Sequence, residues 1–82
     1  MGNREEDKLA MKEFIDIARE NKYTDSMIMN IGIVCGSEQM SDKGYTLIQA
    51  FRKAIDFVRN GKSATETMEE VLKMSGYDMS QN

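Results

Sequence analysis

Between Gly44 and Val58 the apolar residues Leu47, Ile48, Phe51, Ala54, Ile55 and Val58 recur at i, i+1, i+4, i+7, i+8 and i+11. A period near 3.6 places all six on one face of a helix, and that face must be covered by other parts of the chain. Ser41 with Asp42 reads as the N-cap, and Arg59-Asn60-Gly61 supplies a terminal cation and a C′ glycine. The opposite side carries Gln49, Arg52, Lys53, Asp56 and Arg59, so this central helix is basic as well as amphipathic.

The neighbours that cover it are also predicted to be helical. Asn3 and Glu6 form a capping-box pattern opening a helix from about Arg4 to Glu20, whose apolar face holds Leu9, Met11, Phe14, Ile15, Ile17 and Ala18. Lys12 and Asp16 are spaced to pair across one turn of it. Thr24 is the expected cap of a second, short helix, with Tyr23 and Ile28 at the N′ and N4 positions of a hydrophobic staple. Within it, Met27 to Cys35 is apolar on nearly every side, which suits a helix buried among others. Met29-Asn30-Ile31-Gly32-Ile33 also alternates, so an α+β arrangement with 27–35 as a strand is the alternative. Gly32 and Gly36 either admit a close backbone neighbour or simply end the segment. Gly36 to Lys43 reads as a connection. Ser63-Ala64-Thr65-Glu66 is a capping box for a last helix presenting Ala64, Met68, Val71 and Leu72, and Ser75-Gly76-Tyr77 has the form of a Schellman stop. The expected fold is therefore all-α, a small bundle of about four helices over 4–20, 25–35, 42–60 and 64–75. Residues 1–77 form one helical domain, with 78–82 as a tail.

A chain of 82 residues builds one small core, typically worth only ~3–5 kcal/mol. One cysteine, Cys35, permits no internal disulfide, and the absence of histidine removes the commonest structural-metal ligand. Self-association or a protein partner is the remaining way to add buried surface, so a homo-oligomer is expected. The charged N-terminal segment fits neither a signal nor a transit peptide, and Glu6 stands where a myristoylation signal needs Ser or Thr. The apolar run at 27–35 is too short to span a bilayer, so the expectation is cytoplasmic with no membrane association.

Several chemistries lack their residues. Gly61-Lys62-Ser63 resembles the end of a phosphate-binding loop, but Asp56 occupies the place of its first glycine and a helix, not a strand, leads in. Cys35 has no histidine to activate it and lies in an apolar run, as a small core residue does. Residues 17–31 loosely fit a helix-turn-helix with Lys22 at the glycine-favouring turn position, yet the second helix has almost nothing to grip phosphates. The net charge of −3 also opposes nucleic-acid binding. No catalytic residues, metal site or cofactor is expected, and the chain reads as a non-enzyme.

Two features stand above that background. Residues 43–62 hold five bases against one acid, while the flanking segments are net acidic. Arg52, Lys53, Arg59 and Lys62 are therefore candidates for an anionic ligand such as a nucleotide, unless the acidic helices neutralise them. Methionine is also abundant, at eight residues. Met11, Met27 and Met68 read as core filling, whereas Met40, Met74 and Met79, with Tyr77, are candidates for an adaptable partner-binding surface. The function expected is a small regulator, inhibitor or adaptor acting by protein–protein contact; capture of an anionic small molecule at the basic face is the alternative.

Overall fold

A computed structural model describes residues 4–77, which form five helices and no strand: α1 (Arg4–Glu20), α2 (Asp25–Cys35), α3 (Glu38–Asp42), α4 (Leu47–Arg59) and α5 (Ala64–Met74). The all-α expectation holds, and the strand alternative for 27–35 does not, because Thr24 caps a regular helix there through the Met27 N–H. Asn3 and the 78–82 tail lie outside the described residues.

The central helix begins later than its sequence suggested. Its cap is Thr46 rather than Ser41 or Asp42, and Gln49 completes a reciprocal capping box by accepting the Thr46 N–H at 3.0 Å. The displaced segment is not a plain connection. Ser37 caps a single turn, α3, by accepting the Met40 N–H at 3.2 Å, and this turn drives Met40 into the core with no exposed surface. The capping box expected at Ser63 is present, and hydrogen bonds from the Ser63 N–H and hydroxyl hold the Glu66 carboxyl below its ordinary range.

The same three-residue link joins three pairs of helices. Lys22-Tyr23-Thr24, Gly44-Tyr45-Thr46 and Gly61-Lys62-Ser63 each place a left-handed residue, a returning amide and the next N-cap in succession. The returning amide closes a Schellman stop each time: Tyr23 N–H to Ala18 O, Tyr45 N–H to Met40 O, Lys62 N–H to Phe57 O. Gly44 and Gly61 adopt φ of 90° and 87° without strain, whereas Lys22 holds φ 69° with a side chain, at a cost of ~1 kcal/mol. The fourth Schellman stop, at Gly76 with Tyr77 N–H to Leu72 O, ends α5 as its sequence suggested.

The core lies around α4, which buries Ala50, Phe51, Ala54, Ile55 and Val58 against Phe14 and Ala18 of α1, Ile31 of α2 and Val71 of α5. The Phe14 and Phe51 rings meet at 5.6 Å, tilted 44°. Tyr23 joins two of the links: its hydroxyl donates to Lys62 O and accepts from the buried Thr67 hydroxyl at 2.7 Å. Among the described residues the ion pairs are Arg19–Asp25, Arg59–Glu13 and Lys62–Glu70, so the expected Lys12–Asp16 pair is absent.

Two apolar faces are only partly covered. Met11 and Leu9, both expected in the α1 core face, are 41% and 64% exposed. Leu9 falls on the outer side, away from Phe14 and Ala18, because the buried face of α1 is narrower than its apolar content. Met11 is exposed for a different reason, which lies in the packing of α2.

Candidate functional site

Helix α1 lies mainly along α4 and helix α2 mainly along α5, so α1 and α2 touch each other little. The space between them is an open groove of about 590 Å³. Phe14, Phe51 and Gly32 form its floor, while Met11 and Ile15 of α1 face Met29 and Ile33 of α2 across it. Gly32 keeps the floor low; a Cβ there would stand 4.0 Å from the Phe51 ring, so its role is toward a side chain and not a second backbone. Gly36 is the C-cap that ends α2.

The apolar character of α2 on nearly every side has a different meaning from the one its sequence suggested. Ile28, Ile31 and Cys35 are buried, but Met29 and Ile33, one turn apart, are 65% and 63% exposed. Ile33 also borders a second depression with Val34, Leu72 and Tyr77. Of the five large hydrophobic residues exposed among the described residues, four (Met11, Met29, Ile33 and Tyr77) line these two adjoining depressions. Sequence reasoning missed Met29 and Ile33 because a short helix apolar on nearly every side signals complete burial. The available signal was that the only polar residues of α2 are Asp25, Ser26 and Asn30, too few to cover every side that the packing leaves open.

The partner-surface candidates divide. Met40 is corrected: it is a core residue, buried by α3. Met74 is half-buried against the core, Tyr77 is exposed on the strip, and Met79 lies outside the described residues. The basic candidates do not converge on one place. Arg52 and Lys53 line a shallow dip with Tyr45, Gln49 and Asp56. Arg59 reaches Glu13 of α1 at 3.8 Å, and Lys62 reaches Glu70 of α5 at 3.8 Å while lining another dip beside Lys22 and Thr24.

Cys35 is 2% exposed at the end of α2, and burial pushes its thiol from an ordinary 9.0 up to about 12. The folded state thus keeps this proton to higher pH than the unfolded chain does. The stability linked to this site is intact below 9 and drains as pH climbs from 9 toward 12. Burial raises the Tyr23 hydroxyl as well, in the same direction. The expected result is a urea midpoint that falls steadily above pH 9, with a shallower fall in Cys35→Ala; equal slopes in the two proteins would contradict it.

Among the described residues no group of three or more His, Cys, Asp or Glu side chains is placed to hold a metal, and no helix is long and apolar enough to cross a membrane. Neither a family model, nor a curated protein, nor a solved structure matches the chain.

Proposed function

We propose that this protein is a non-catalytic docking module, a small adaptor or regulator that works by seating a protein partner on the α1–α2 groove and the strip around Ile33. One observation carries this reading: the exposed large hydrophobics are gathered around two connected depressions instead of being scattered singly. Gathered apolar surface marks interaction sites, whereas isolated exposed side chains need no explanation. Met11 and Met29 suit such a role, since unbranched thioether chains repack around different shapes. Cys35 is buried and its thiol is held protonated, and the chain has no histidine to activate a hydroxyl on this surface.

The alternative, capture of an anionic small molecule by Arg52, Lys53, Arg59 and Lys62, has less behind it. Lys62 and Arg59 each face a carboxylate of the chain, and Arg52 and Lys53 share their dip with Asp56.

Photo-cross-linking in the native host tests the docking reading. A photoreactive residue in place of Ile33 or Met29 is expected to give one discrete adduct. The same residue in place of Leu9, equally exposed but off the strip, is expected to give none. Adducts of equal yield from all three positions, or from none, would contradict the proposal.

A further inference from the structure

We propose that Asn60-Gly61 is a site of spontaneous deamidation that the fold itself holds shut, so that conversion there marks chains whose α4–α5 link has opened. The pair is the one Asn-Gly step in the sequence, and both residues are exposed. The chemistry is intramolecular. The Gly61 backbone nitrogen, after losing its proton to solvent, attacks Cγ of Asn60. The new N–Cγ bond closes a five-membered imide, and the Cγ–Nδ2 bond breaks with loss of ammonia. Water then cleaves the ring. Opening at Cγ returns an ordinary aspartate; opening at the Asn60 carbonyl carbon leaves an isoaspartate, with the chain routed through the side chain. Glycine obstructs this attack least, having no Cβ beside the attacking nitrogen and the widest backbone freedom.

The folded link opposes the first step. Ring closure brings Cβ of Asn60 into line with the Gly61 nitrogen about the Cα–C bond. At the observed ψ of 7° the Asn60 nitrogen occupies that alignment instead, so Cβ is turned away. Rotating ψ toward closure would break the bonds from Gly61 N–H to Val58 O at 3.0 Å and from Lys62 N–H to Phe57 O at 3.1 Å. The first of these also holds the very proton that the attack must lose. Further along, Lys62 O accepts the Tyr23 hydroxyl, so the link cannot turn without parting from the link between α1 and α2. The left-handed φ of 87° makes glycine the right residue for the folded turn, and the same residue is what makes the opened chain reactive.

The products do not fit the link they come from. Isoaspartate adds a methylene to the backbone before Gly61, which carries the Lys62 amide out of register with Phe57 O. Either product also sets a carboxylate at the C-terminal end of α4, where the helix dipole opposes negative charge. A converted chain therefore refolds to a weaker structure than it left.

Peptide mapping by mass spectrometry provides the test, with the full chain held at one mildly alkaline pH either in buffer or in guanidinium chloride. Conversion at position 60 is expected to run more than about tenfold faster in denaturant, because it must wait for the link to open in the folded chain. In denaturant Asn21 and Asn30, each followed by a residue with a side chain, are expected to lag behind Asn60. Gly61→Ala is expected to slow conversion of the denatured chain about tenfold. Converted chains returned to buffer are expected to unfold at lower urea than unconverted ones. Equal rates at position 60 in the folded and denatured chains would overturn the inference. So would conversion there no faster than at Asn21 and Asn30 in denaturant, an undiminished rate in Gly61→Ala, or converted chains that keep the parent's urea midpoint.

Discussion

Phe51→Ala is expected to leave most of the chain unfolded at room temperature. Phe51 is 1% exposed, packs its ring on Phe14 at 5.6 Å, and belongs to the one core that all the larger helices share. Truncating a buried phenylalanine costs ~3–5 kcal/mol through lost transfer energy and the cavity left behind. A single core of this size is typically worth only ~3–5 kcal/mol, and here no disulfide supplements it. The cavity would also not close easily, because Phe51 stands between the core and an open groove, so its loss lets water in from above. Leu9→Ala, at a side chain 64% exposed, is expected to change stability by less than ~0.5 kcal/mol. Urea unfolding followed by circular dichroism separates the two; a Phe51→Ala midpoint close to that of Leu9→Ala would mean that α1 and α4 do not meet through this pair.

The helices could be read from the sequence wherever a cap and a period agreed. The bounds of α1 and α2 match their predicted spans, and the Ser63 box and the Gly61 and Gly76 stops are where their spacing placed them. The start of α4 was misplaced because Ser41-Asp42 and Thr46 both offer caps. What separates them is Gln49, which only Thr46 has at N3, together with Gly44, whose left-handed φ of 90° belongs after a helix and not inside one. The turn α3 gave almost no periodic signal over five residues, so Met40 looked like a loop residue free to face a partner.

The candidate site was harder to see for a different reason. Period and composition reveal which residues are apolar, but not how many of a helix's sides the tertiary packing covers. Met29 and Ile33 differ from Ile28 and Ile31 in nothing the sequence displays; they are exposed because α2 lies on α5 and away from α1. The basic face of α4 shows the converse. Its cations were evident, yet only the packing revealed that Arg59 turns to Glu13 and Lys62 to Glu70.

The central claim is that α2 sinks one apolar face and offers the other. Thermal unfolding of two variants measures this most directly. Ile31 is fully buried, and Ile31→Asp places an unpaired charge in the core, which is expected to abolish the folded state. Met29→Asp with Ile33→Asp puts two charges on the same helix, at positions 65% and 63% exposed, and is expected to melt within a few degrees of the parent. If that pair instead unfolds as Ile31→Asp does, the face is core and no docking surface exists.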